Sequence, residues 1–171
     1  RKAYAKGNDM AQGTFILLNE LFCEQGLLVL QPDNATLKEQ MKSVFRDDLL
    51  NNTAQQIVGE TNTSLEKQYK LQVNPRPVNL FYLRDGIRNR IDKRGNVYTV
   101  DETVIRFTEA EILSELNEHP ERFSPNVILR GIYQETILPN ILFVGGGSEV
   151  AYWMQLKGLF NHYKVPFPVL V

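Results

Sequence analysis

Apolar residues recur at helical spacing in the first part of the chain, change to short strand-like runs in the middle, and return to helical spacing near the end. Met10, Thr14, Leu17, Leu18 and Leu21 share one helical face, and Asp9 followed by Gln12 has the form of a capping box, which predicts a core-facing helix. Gly26 takes the position just past its end. The run Leu27 to Gln31 is short and apolar, and it predicts a buried strand. Pro32-Asp33-Asn34 makes a turn with a helix start in it; Leu37, Met41, Val44 and Phe45 carry the next stripe, and a more polar helix is expected from Thr63.

From Pro75 the texture is β-rich. Val78 to Leu83, Ile87 to Asp92 and Val97 to Val100 are separated by Asp85-Gly86 and by Lys93-Arg94-Gly95-Asn96, the spacing of a three-stranded meander. Residues 72–106 therefore read as a small inserted β-module between two segments of an α/β core, 1–71 and 107–171. Helix resumes at Thr108, which pairs with Glu111 as a second capping box, and stops before Pro120. Ser124-Pro125 has the form of a helix start with proline at the first position, and Pro139 marks the stop. Gly131 within that helix costs about 1 kcal/mol relative to alanine. Ile141 to Val144, three glycines, a helix from about Ser148 to Tyr163 and the run Phe167 to Val171 complete a β-α-β unit, whose strands are expected to be parallel.

Composition supports an ordinary globular protein: 171 residues, 43% hydrophobic and 23% charged, are enough for a sizeable core. A net charge of -1 provides no global basic field, so neither nucleic acid nor an anionic membrane is expected as a partner. Cys23 is the only cysteine, which excludes an internal disulfide and a cysteine-rich zinc site and suggests the cytoplasm. No apolar run approaches the roughly 18 residues of a membrane span. The chain opens on Arg1 rather than Met and ends within an apolar run, which suggests a piece of a longer protein.

Candidate chemistry centres on Gly145-Gly146-Gly147-Ser148, at the carboxyl end of a predicted strand and the start of a helix, where open α/β sheets bind their ligands. Glycines let a ligand approach the backbone, and the helix start favours an anion. A tight turn explains the same residues equally well, because the spacing is neither a Walker loop nor Gly-x-Gly-x-x-Gly. Glu149 can cap the helix or hold an amine, and Tyr152 lies on the same helical side. Arg130 and Gln134, four apart, are either a surface pair or part of the same pocket. Arg76, Arg84, Arg88, Arg90, Lys93 and Arg94 concentrate positive charge around the β-module among Asp85 and Asp92. Alternation puts Arg88, Arg90 and Asp92 on one face, either simply solvated or clamping an acidic small molecule. His119 and His162 read as structural, Trp153 as core, and no spacing suggests a metal.

Three stretches carry a resemblance: Leu28-Val29-Leu30-Gln31-Pro32-Asp33; Pro77 to Ile91, with Leu80-Phe81-Tyr82-Leu83-Arg84-Asp85-Gly86-Ile87-Arg88-Asn89-Arg90; and Ser124 to Val171, with Gly145-Gly146-Gly147-Ser148-Glu149-Val150-Ala151-Tyr152-Trp153. Together they resemble the cysteine ligase family of bacillithiol biosynthesis, the cysteine-adding enzymes. Gly131 stands where that pattern has proline, and Gly147-Ser148 where it often has Pro-Gly. The resemblance implies an α/β fold with a Rossmann-like core, three-layered with a mostly parallel sheet, of which this chain is an internal fragment. It implies a whole protein with a coiled coil, a homodimer being one expectation, that joins cysteine to glucosaminyl-malate. Amide synthesis from a free carboxylate needs activation, so ATP or another nucleotide is the expected cofactor. On this reading Gly145, Gly146, Gly147 and Ser148 offer amides to an anionic group, and Arg130 with Gln134, or the Arg88 and Arg90 pair, holds the malate carboxylates. Glu149 and Tyr152 complete the substrate site, while the general base stays unassigned. The fragment alone is expected to be inactive. A non-catalytic nucleotide- or small-molecule-binding module is the alternative; a class I aminoacyl-tRNA synthetase piece is disfavoured, since no His-x-Gly-His is present.

Overall fold

The computed structural model describes residues 2–84 and 86–171, leaving Arg1 and Asp85 outside the description. The chain divides into two compact units, 1–34 and 35–171. In the first, helix α1 (Met10–Phe22) starts where Asp9 caps it, the carboxylate accepting from the Gln12 N–H at 2.7 Å. A 3-10 turn over Cys23–Gln25 follows it, and Gly26 closes that turn in the left-handed conformation at φ 83°. Two expectations are corrected here. Leu27 to Gln31 is irregular backbone, not a strand, with Leu27, Leu28 and Leu30 exposed; α1 likewise leaves Met10, Leu17 and Leu21 exposed. An apolar run needs a neighbouring strand to satisfy its backbone, and within this unit it has none.

The second unit opens with the short helix α2 (Ala35–Glu39) and continues through α3 (Lys42–Asn51) and α4 (Thr53–Leu65). The polar helix expected from Thr63 is in fact the end of α4. Asn52 at φ 55° separates α3 from α4, a conformation that asparagine tolerates better than most residues. Strands β1 (Leu80–Arg84), β2 (Ile87–Arg94) and β3 (Val97–Val100) form the expected meander. The sheet does not stop there. β4 (Arg106–Thr108) pairs with β3, and β5 (Phe123–Pro125) pairs with β1, giving five antiparallel strands in the order β4-β3-β2-β1-β5.

The expectation of a mostly parallel main sheet is thereby corrected. Ser124-Pro125 is also corrected from a helix start to an edge strand, where a residue without an N–H is tolerated. Helix α6 (Val127–Ile137) begins two residues later, with the Asn126 side chain accepting from the Ile128 N–H at 2.8 Å. Between β4 and β5 lies α5 (Glu109–Glu118), whose Thr108–Glu111 capping box is fully formed.

Parallel pairing is confined, among the described residues, to β6 (Leu142–Phe143) and β7 (Val169–Leu170), joined through helix α7 (Gly147–Tyr163) as the β-α-β pattern predicts. Phe143 and Leu170 turn toward the core. Leu142, Val144, Val169 and Val171 are exposed.

The core lies on the inner face of the antiparallel sheet, where Leu80, Tyr82, Ile91, Tyr98, Val100 and Phe123 are buried, and continues to Trp153, Leu156 and Phe160 of α7. Sheet residues also finish α3. The Tyr98 hydroxyl and the Lys93 ammonium donate to the Leu49 carbonyl at 2.8 and 3.1 Å, satisfying a helix end that has no partner of its own. Two polar anchors are buried with the apolar core. Asp48 accepts from the Asn79 backbone N–H at 2.6 Å and from its side-chain amide at 3.0 Å, while Asn126 donates to Asn79 Oδ1 at 3.1 Å. Gln155 ties α7 to α4 and to the segment before β1, accepting from Gln72 and Val73 and donating to Asn62 and the Val73 carbonyl.

Candidate functional site

The glycine turn leaves the carboxyl end of β6 and enters α7. Gly145 donates its N–H to the Val171 carbonyl at 2.9 Å, which locks the turn to the end of β7. A side chain at Gly145 would meet Phe143 at 2.6 Å, so this glycine is required by close packing. Gly146 and Gly147 differ. A Cβ on either would meet nothing within 4 Å, and both are exposed, so their backbone is open to a ligand.

Glu149 reaches back to the turn, its carboxylate accepting from the Gly146 N–H at 3.3 Å. That is the capping role, and it gives one of the open amides an acceptor. The Gly147 and Ser148 amides, at the first helical positions, remain for an anionic oxygen. Two amides beside a carboxylate suit a carboxylate or a single phosphoryl group. They do not suit a triphosphate, which would face Glu149 with no lysine in the turn to offset it.

Tyr152 is half-buried against the core, and its hydroxyl makes no hydrogen bond among the described residues. Trp153, next to it, is core, stacked on Phe143 with ring centroids 4.4 Å apart. α6 approaches α7 at Gly131, where an added Cβ would stand 3.3 Å from Phe160 Cζ and 3.5 Å from Trp153 Cζ2. The first half of α6 thus lies against the helix that the glycine turn opens. Arg130 is exposed and forms no ion pair among the described residues. Gln134 instead donates to Glu135 Oε1 at 3.0 Å, and Glu135 holds Asn140 through both the backbone N–H and the side chain. Gln134 therefore belongs to the buttress that turns α6 into β6.

Arg88 and Arg90 lie on the other sheet. Register pairs Phe81 with Arg90 and Leu83 with Arg88 on the outer face, and the guanidinium carbons stand 4.1 Å (Arg88) and 5.3 Å (Arg90) from the Phe81 ring centroid. The alternation of Arg88 and Arg90 against Ile91 holds: Ile91 is buried on the inner face. The structure therefore puts Arg130 and Gln134 on α6, which packs on α7 through Gly131, and holds Arg88 and Arg90 on β2 of the antiparallel sheet.

Three elements were not evident from residue pattern. Phe81 between the two arginines follows once the hairpin register is known, and the two-residue spacing of Asp85-Gly86 is the signal, although Asp85 lies outside the described residues. Asp48, buried with Asn79, has its carboxyl pushed up to about 7, because burial disfavours the charge more than the two Asn79 hydrogen bonds support it. Lys38 is also fully buried, donating to the Phe123 carbonyl at 2.5 Å with its ammonium over the Tyr133 ring. No periodicity marks a buried charge.

His119 meets Glu121 at 3.2 Å, and His162 packs edge-on against Tyr163. No helix among the described residues is long and apolar enough to cross a membrane.

Comparison with known proteins gives one consistent answer. Residues 1–171 match the family model described as bacillithiol biosynthesis BshC, N-terminal Rossmann-like domain. Proteins named "Putative cysteine ligase BshC" are similar throughout. The chain is 42% identical to that of Cytophaga hutchinsonii over 171 residues, covering 99% of this chain and 33% of the relative. It is 44% identical to that of Flavobacterium johnsoniae over 168 residues, 98% and 32%. For Bacillus pumilus the figures are 34% over 156 residues, 88% and 29%. The chain spans about a third of the length of the curated relatives it matches. With a glycine turn between parallel strands and a family match along its whole length, the chain belongs to the BshC family of bacillithiol biosynthesis, as part of its N-terminal Rossmann-like domain.

Proposed function

We propose that the whole protein is a carbon-nitrogen ligase that joins the cysteine carboxyl to the amine of glucosaminyl-malate, and that this chain supplies one wall of its site. The family match along all 171 residues is the observation that carries this reading. The glycine turn supports it, since the amides of Gly147 and Ser148 suit a substrate carboxylate. Arg130, with no acid partner among the described residues, is the guanidinium to hold a malate carboxylate bidentately. The Tyr152 hydroxyl, one turn along α7, is free to orient the substrate. Glu149 holds the turn through Gly146 and presents its carboxylate toward an incoming amine.

Carboxylate activation calls for ATP or a related nucleotide, which would supply the leaving group. The turn fits a single anionic group and not a triphosphate, so on this reading the residues that hold the nucleotide belong to the rest of the whole protein. The cytoplasm, where amino acid and nucleotide are both abundant, is the compartment this chemistry requires.

The test is incubation of the full-length protein with glucosaminyl-malate, cysteine and ATP, with the product thiol followed by mass spectrometry. Arg130→Gln and Tyr152→Phe are expected to lower turnover at least tenfold. Glu149→Gln keeps an acceptor for the Gly146 N–H, so its loss of turnover would separate a role toward the amine from capping. Ligand binding without product under every nucleotide tried would refute the ligase in favour of a non-catalytic binding module.

A further inference from the structure

The outer face of the antiparallel sheet carries a feature that the ligase reading leaves unused. Phe81 lies at the centre of a three-strand row, with Ser124 of β5 on one side and Arg90 of β2 on the other, and Arg88 reaches the same ring from the next outward position of β2. Both guanidiniums sit over one half-buried ring. They are therefore held within about one Debye length of each other, roughly 10 Å at 0.1 M salt, where repulsion between like charges is only partly screened.

Neither arginine has an ion-pair or hydrogen-bond partner among the described residues. Asp92 shares their outward face of β2 and interacts with Asp101. Asp101, the backbone neighbour of Arg90, has its carboxyl held above the usual range by burial and by Asp92 close by, and the cations it senses are Arg76 and Arg94. Ser124, on the same face, makes no side-chain hydrogen bond among the described residues.

Contact with the half-buried Phe81 ring orders the two side chains without neutralising them. The ring accepts no conventional hydrogen bond from them, so the guanidinium N–H groups, the part that grips paired oxygens, keep their donors. We infer that Phe81, Arg88 and Arg90, with the Ser124 hydroxyl beside them, form a preorganised binding platform for a compact dianion, a short dicarboxylate or a phosphoryl group. Arg88 and Arg90 supply the bidentate contacts and Phe81 sets their spacing. The platform takes up the second place that the resemblance offered for the malate carboxylates, but it rests on the geometry around Phe81 and not on the ligase activity.

Calorimetric titration of the full-length protein tests this with two probes, malate and inorganic phosphate. An Arg130→Gln background removes from the measurement the α6 arginine that the ligase reading assigns to a malate carboxylate. Saturable binding is expected with at least one probe, and the tighter one identifies the source of the anion. Arg88→Gln and Arg90→Gln should each weaken it at least tenfold, Phe81→Leu severalfold, and Arg106→Gln on β4 not at all. In the unmodified protein the same anion should protect Arg88 and Arg90 from phenylglyoxal, read by peptide mass spectrometry, which needs no variant to fold. Absence of saturation with both probes, equal weakening by Arg106→Gln, or unprotected Arg88 and Arg90 would each overturn the proposal. Ligase activity is a separate readout: a protein that binds here without making the thiol sinks the functional reading alone.

Discussion

Replacing Gln155 with leucine puts the role of buried polar anchors to a quantitative test. Gln155 is 3% exposed and makes four hydrogen bonds: it accepts from the N–H groups of Gln72 at 2.8 Å and Val73 at 3.2 Å, and donates to Asn62 Oδ1 at 2.5 Å and the Val73 carbonyl at 2.9 Å. Leucine fills nearly the same space and answers none of them. The Val73 carbonyl keeps a bond from the Asn62 side-chain amide at 3.1 Å, and Gln72 is exposed enough for water to reach its N–H. Two groups are then stranded in the interior, the Val73 N–H and Asn62 Oδ1. At about 1–3 kcal/mol for each buried group left without a partner, the loss is about 4 kcal/mol. That is a large part of the roughly 5–15 kcal/mol by which a domain is stable. For a chain of this size each kcal/mol moves the melting point by about 2–4 °C, so Gln155→Leu should melt about 10 °C lower. Circular dichroism melts and urea denaturation measure it, with the exposed neighbour Met154→Ala as control. A loss no greater than the control's would refute the view that Gln155 is the polar tie between α7, α4 and the segment before β1.

Gly145→Ala places a methyl 2.6 Å from Phe143, so Phe143 must leave its stack on Trp153; because Trp153 is the only tryptophan, a shift in intrinsic fluorescence is the expected signal, and an unchanged spectrum would count against the packing. Asp48, with its carboxyl raised to about 7, favours the protonated form on folding, so its contribution is fully present below about pH 4 and is lost as pH rises through about 7, on the order of 4 kcal/mol across that window. Comparing the pH slope of stability with that of Asp48→Asn isolates it, and identical slopes would contradict it. Thr108→Ala removes the reciprocal cap of α5 and should cost about 1 kcal/mol in urea denaturation; no loss would mean that the cap is replaced by solvent.

The local signals proved dependable because they act over a few residues. Asp9, Thr108 and Gly26 mark helix ends by bonds to their own neighbours, and the glycine turn and its β-α-β unit follow from a change of period over about thirty residues. Leu27 to Gln31 failed as a strand for the complementary reason. A strand exists only through a partner, and the apolar run names none. Ser124-Pro125 failed likewise, since a proline that can open a helix can equally close an edge strand, and only pairing with Leu80 and Phe81 decides between them.

By itself the sequence determined the helix caps, the hairpin spacing, the parallel β-α-β unit and, through resemblance, the family. All of these rest on short-range geometry or on matched residues. Only the tertiary structure decided that the sheet beside them is antiparallel and five-stranded, and that Arg88 and Arg90 share the Phe81 ring while Arg130 sits with the α6–α7 pair. It also decided that Asp48, Lys38 and Gln155 are buried. These depend on strand register and on which distant residues exclude water from a polar group, and neither is encoded at any fixed spacing along the chain.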